Sequence, residues 1–161
     1  FEISFEFLKK CPYFTIFTYP NGDPGSEDII QRINDFTRKY SRSMVVKSFN
    51  DLSYYNVLAH AEFLFGNSSS SIWEAPSFQT PALNIGRRQD GRFRAGNVID
   101  VSGKKINEIE AAAQELLTAD FKKRLTNVCN PYGEGKASEK IALILGSMSA
   151  GTLRENKVYS S

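Results

Sequence analysis

The chain has 161 residues, enough for one domain and short of two. At 41% hydrophobic, 12% aromatic and 24% charged it is globular rather than disordered or fibrous. A net charge of +2 supplies no broad field to attract nucleic acid, so any anion site has to be local.

The N-terminal "FEISFEFLKK" reads as an amphipathic helix that opens at Phe1 without a methionine, and the chain is read as a piece of a longer protein. "YFTIFTYP" follows as a buried strand that ends in the turn formers "NGDPGS". Ser26 is expected to cap the next helix, with Glu27 and Asp28 in its first turn and an apolar face of Ile29, Ile30, Ile33, Phe36 and Tyr40. "MVVKSF" is the second strand, and "NDLSYYNVLAHA" the second full helix, capped at Asn50 or Asp51. "EFLFGN" is the third strand, followed by a short helical "SIWEAPSF". "PALNIG" and "NVIDV" are the fourth and fifth strands. "INEIEAAAQELLT", "DFKKRLTNV" and "SEKIALILGSM" make the closing helices. The domain is expected to run over residues 1–149, leaving 150–161 as a mobile tail without apolar periodicity.

Alternating strands and helices predict an α/β fold, a doubly wound, Rossmann-like parallel sheet with right-handed crossovers. Continuous apolar strands agree with burial on both faces. In such sheets ligands bind beyond the carboxyl ends of the strands. The loops at 20–26, 49–51, 66–71 and 86–96 therefore hold the candidate site.

The third of these loops carries four consecutive serines, Ser68 to Ser71, after Gly66. Hydroxyls and amides at a helix start suit an anion, although a serine there can equally be a plain helix cap. Glu74, a few residues on, suits a sugar hydroxyl better than a phosphate, or is simply an exposed acid favoured by the helix dipole. "GRRQDGRFR" places Arg87, Arg88, Arg92 and Arg94 after a strand, where guanidinium forks match phosphate, though a solvated loop or an RNA-facing patch has the same composition. Phe49, directly after the second strand, reads as a base-stacking residue or a hydrophobic lid. His60 reads as a packing residue and Trp73 as core or interface. Cys11 and Cys129 are far apart and form no C-x-x-C, so no metal site is expected and a disulfide is left open. No apolar run reaches bilayer length and no signal-peptide pattern is present, which predicts a cytoplasmic protein with no membrane partner.

The segments "YPNGDPGS", "VLAHAEFLFGNSSSSIWEAPSFQTPALNIGRRQDGRFRAGNVIDV" and "NPYGEGKASEKI" together resemble the carboxyl-terminal domain of UDP-N-acetylglucosamine 2-epimerases. The likeness is closest to the hydrolysing branch that serves sialic acid biosynthesis, and it runs from Tyr19 to about Leu145. The resemblance implies one half of a two-domain architecture shared with GT-B glycosyltransferases. It also implies that Ser68, Ser69, Glu74 and Arg88 contact UDP and that Phe49 lies where the uracil is held. Where this chain has Ser71 the family pattern has glycine. The reaction implied is proton abstraction at the sugar C2, loss of UDP, then addition of water, with no cofactor. Its acids and bases are expected on an absent amino-terminal domain, so no catalytic residue is assigned here. The parent is expected to be a homo-oligomer that binds UDP-N-acetylglucosamine, and this chain alone to be inactive. Two other readings use the same residues: the donor domain of a GT-B glycosyltransferase, and a non-catalytic nucleotide-binding or assembly module.

Overall fold

The computed structural model describes residues 2–22 and 24–148. The expected tail at 150–161 lies outside the described residues. Helix α1 (Glu2–Lys10) leads into β1 (Thr15–Thr18), α2 (Ser26–Lys39) and β2 (Ser43–Val46). Then come α3 (Asp51–His60), β3 (Leu64–Gly66), the short α4 (Ser70–Trp73) and a 3-10 turn at Ala75–Phe78. Strands β4 (Ala82–Ile85) and β5 (Val98–Val101) precede α5 (Ile106–Leu116), α6 (Ala119–Leu125) and α7 (Ala137–Ser147). This is the α/β succession read from the sequence, and every strand pairing is parallel.

The strands fall into two hydrogen-bonded groups, β1–β2 and β3–β4–β5. Between β1 and β3 lies a cavity of about 600 Å³, with residues 15–18 on one side and 63–66 on the other. Helix α1 spans the two groups. Phe5 packs on Phe17 and Phe36, at 6.1 and 5.3 Å between ring centroids. Two residues on, Phe7 lies 5.2 Å from Phe65 and belongs to the main core with Leu83, Val101, Ile109, Leu116, Phe121 and Leu125. Lys10 pairs with Glu110 of α5 at 3.0 Å, and Glu2 pairs with Arg32 of α2.

Two helix starts follow their local chemistry. The Asn50 side chain accepts from the Ser53 N–H at 2.8 Å, and the Thr118 hydroxyl from the Phe121 N–H at 3.2 Å, so α3 and α6 start as N-cap preferences require. Helix α2 departs from expectation. Ser26 is its first helical residue, and the cap is Gly25 at φ 86, a left-handed conformation suited to glycine, with no side-chain cap bond. The helix predicted over "SIWEAPSF" breaks in two because Pro76 has no N–H to continue the ladder. Helix α7 buries none of its side chains, and Ile141, Leu143, Ile144 and Leu145 are all exposed.

Candidate functional site

Three strands end at one place. Thr18 of β1, Gly66 of β3 and Ile85 of β4 line a single cavity of about 580 Å³, together with Tyr19, Asn21, Ser26, Asn67, Ser68 and Arg88. This is the carboxyl edge where parallel α/β sheets place ligands. Gly66 sits at φ +143, a backbone setting that side-chain-bearing residues rarely adopt, and it turns the chain from β3 into the serine run.

The four serines divide by environment. Ser70 and Ser71 are buried. The Ser71 hydroxyl donates to the Ser68 carbonyl at 2.8 Å, and the Ser70 hydroxyl pairs with the Tyr54 hydroxyl. Ser68 is exposed and Ser69 half-buried. Within the turn, the amides of Ser71, Ile72, Trp73 and Glu74 already donate to the carbonyls of Ser68, Ser69, Ser69 and Ser70. With α4 only four residues long, an anion here would be met by the Ser68 and Ser69 hydroxyls and by amides before Ser70, rather than by an open helix end.

The arginine loop divides in a similar way. Arg87 pairs with Asp90 at 2.7 Å, and Arg94 with Asp100 at 3.0 Å. Arg92 donates to the Gln89 side chain at 2.9 Å and lies 5.3 Å from the centre of the half-exposed Trp73 ring. Arg88 lines the cavity beside Ser68.

Phe49 lines the neighbouring cavity between β1 and β3, which also reaches Tyr54, Ser68 and Ser71. Ser68 thus faces both cavities. Ser69 and Glu74 line neither of the two. Glu74 is half-buried, and its Oε2 is enclosed with no hydrogen-bond partner among the described residues. Burial pushes the Tyr54 phenol up from its ordinary value, with the Ser70 bond opposing and the Glu74 charge reinforcing. Tyr54 therefore stays protonated at neutral pH and can donate. His60, expected to pack, is exposed at the end of α3, where its Nδ1 meets the Asn56 carbonyl at 2.8 Å. Cys11 is buried and Cys129 exposed, and both are free thiols. No group of three or more potential metal ligands occurs among the described residues. No helix among them is long and apolar enough to cross a membrane.

Sequence reasoning missed Tyr19, Asn21 and Tyr54. Asn21 had a usable signal, since it stands in a loop that follows a strand. Tyr54 had none, because its role depends on a partner 16 residues away.

The comparisons with known proteins bear on the family and the fold. The sequence profile of the family described as UDP-N-acetylglucosamine 2-epimerase matches residues 2–146. The chain is 39% identical over 110 residues to the GDP/UDP-N,N'-diacetylbacillosamine 2-epimerase (hydrolyzing) of Campylobacter jejuni, covering 66% of this chain and 27% of that one. It is 33% identical over 126 residues to the UDP-N,N'-diacetylbacillosamine 2-epimerase (hydrolyzing) of Legionella pneumophila, covering 78% and 32%. The chain thus spans about a third or less of the length of these relatives. Its fold superposes with a TM-score of 0.69 on the Methanocaldococcus jannaschii UDP-GlcNAc 2-epimerase solved with UDP-GlcNAc and UDP, at 20% identity, over 90% of this chain and 39% of that one. The Neisseria meningitidis UDP-GlcNAc 2-epimerase bound to UDP-GlcNAc gives 0.62 at 24% identity, over 91% and 40%. A family profile that spans all but the ends of the chain, on a fold of the same kind, makes this chain a member of the UDP-N-acetylglucosamine 2-epimerase family.

Proposed function

We propose that this chain is the UDP-binding part of a hydrolysing UDP-N-acetylglucosamine 2-epimerase, which converts UDP-N-acetylglucosamine and water to N-acetylmannosamine and UDP. The observation that carries the reading is the convergence of Ser68 and Arg88 on one cavity at the carboxyl ends of three parallel strands. Small hydroxyls let a diphosphate approach closely, and a guanidinium binds it through paired donors. Arg88 and the serine turn would stabilise the charge that gathers on UDP as its bond to the sugar breaks. The family resemblance would make Glu74 the partner of a ribose hydroxyl; it lines neither cavity, so it would have to turn its carboxylate toward the ligand to take that role. Phe49 would bound the uracil. Proton abstraction and water addition fall to acids and bases in the remainder of the parent protein, which we propose to be a cytoplasmic homo-oligomer.

The hydrolysing relatives at 39% and 33% identity support a second reading of the substrate alone, a UDP-linked diacetamido sugar in place of UDP-N-acetylglucosamine. Assay of the parent enzyme with each sugar nucleotide, water being the only acceptor, separates the two. A requirement for a carbohydrate acceptor would instead indicate a glycosyltransferase.

The half-site is tested by calorimetric titration of this chain with UDP, using UMP and pyrophosphate as comparisons. We expect saturable binding that prefers UDP. The double variant Ser68→Ala/Ser69→Ala should weaken it about tenfold, in line with the loss of charge-assisted bonds, and Trp73→Phe should not. Equal effects of the two would sink the serine assignment.

A further inference from the structure

Two buried amides hold the serine turn at its ends. Gln89 is 1% exposed, and its Nε2 donates to the Asn67 carbonyl at 2.7 Å. Asn97 is fully buried, and its Nδ2 donates to the Ser71 carbonyl at 3.1 Å and to the Thr80 carbonyl at 3.0 Å. Both side chains come from the connection between β4 and β5, 22 and 26 residues away in sequence from the carbonyls they reach on the turn. Ser68 and Ser69 lie between those two carbonyls.

We infer that Gln89 and Asn97 are positioning residues, which set the serine turn against the arginine loop before any ligand arrives. The inference rests on the reading of that turn as the UDP site. A carboxamide taken out of water costs several kcal/mol unless it is paired. Asn97 is paired only through its Nδ2, its buried Oδ1 having no partner among the described residues, so full pairing rests with Gln89. Gln89 is paired at both ends. Its Nε2 meets a carbonyl and its Oε1 accepts from Arg92 Nη1 at 2.9 Å. Turning the amide round would set oxygen against oxygen and NH2 against a guanidinium, so this orientation is the one that satisfies both partners. Gln89 is also the neighbour of Arg88. One rigid group therefore fixes the spacing between the guanidinium and the hydroxyls. Donors aimed in advance at the ligand lose less on binding than donors that must be ordered, and a loosened supporting shell moves them out of range.

Glutamate at position 89 separates this role from general packing. Gln89→Glu keeps the shape and the Arg92 contact, but it places a carboxylate oxygen against the Asn67 carbonyl. Thr118→Ala is the control. It removes the N-cap bond of α6, from the Phe121 N–H to the Thr118 hydroxyl at 3.2 Å, which involves no residue of the turn or of the connection between β4 and β5. The experiment measures UDP affinity and amide exchange at residues 67–72 in wild type, Gln89→Glu, Thr118→Ala and Ser68→Ala/Ser69→Ala, with fluorescence of Trp73 reporting the Arg92 contact. We expect Gln89→Glu to bind UDP at least tenfold more weakly and to exchange the turn amides at least tenfold faster, with the Trp73 emission retained. Thr118→Ala should leave affinity and turn exchange as in wild type. Should the serine variant weaken binding while Gln89→Glu binds like wild type, the positioning role is overturned and the UDP site stands. Should wild type not bind UDP, the site reading fails, and exchange alone decides the clamp: faster turn exchange in Gln89→Glu supports it, and unchanged exchange overturns it.

Discussion

At the scale of single residues, the site is a division of labour within short runs of the same amino acid. Ser70 and Ser71 spend their hydroxyls on Tyr54 and on the Ser68 carbonyl, while Ser68 and Ser69 keep the more open positions. Arg87, Arg92 and Arg94 meet Asp90, Gln89 and Asp100, and Arg88 is the one of the four that lines the cavity with Ser68. The family pattern singles out Ser68, Ser69 and Arg88, which neither composition nor spacing distinguishes from their neighbours; the structure sets Ser68 and Arg88 on one cavity and Ser69 off it. Gln89 and Asn97 were not legible, because their partners are backbone carbonyls distant in sequence. The Glu74 assignment makes its own prediction. Glu74→Gln should weaken UDP several-fold, since a neutral amide accepts less strongly than a carboxylate, and should leave a 2′,3′-dideoxy analogue unaffected. A uniform loss for both ligands in the titration would remove the ribose role.

At the scale of elements, the order of strands and helices followed from apolar periodicity and turn residues, and the shortfalls lie at their ends. "MVVKSF" pairs only as far as Val46, and the helix expected at the serine run ends at Trp73 and gives way to a 3-10 turn that carries Pro76. The start of α5 shows an end that side chains organise. The Glu108 carboxylate accepts from the Ser102 N–H at 2.8 Å and from the Ser102 hydroxyl, and these bonds hold it below its ordinary value of 4.5. A depressed carboxyl contributes stability above its unfolded value, and the contribution is lost as pH falls through the folded value. Wild type should therefore lose more of its thermal stability than Glu108→Gln on acidification from pH 6 to pH 3, as read by Tm. A variant that tracks wild type across this window would show that the bonds do not couple to folding. Beside these bonds, Gly103 holds φ +71, and a methyl there would sit 2.5 Å from Ile85 Cγ2, so the turn that delivers Glu108 to Ser102 is closed to other residues.

At the scale of the whole molecule, parallel pairing and class were legible, while the separation of β1–β2 from β3–β4–β5 was not. Strand adjacency across a sheet depends on long-range packing that a linear pattern does not encode. Helix α1 supplies that packing, with Phe5 on one group and Phe7 in the core of the other. Phe7→Ala should lower overall stability by about 3–5 kcal/mol, the usual range for a buried phenylalanine, measured by denaturant unfolding. Phe5→Ala should instead speed amide exchange in β1 and β2 while sparing β3 to β5, and even loss across all five strands would contradict this account.

The cavity that contains Ser68 and Arg88 also contains Tyr19 and Asn21, so its walls hang from two separate ladders. Among the described residues no ladder bond joins those two groups, and the aromatic contacts of α1 bridge them. A ligand that touches both walls would add a second bridge, so bound UDP should slow amide exchange in β1 and β2.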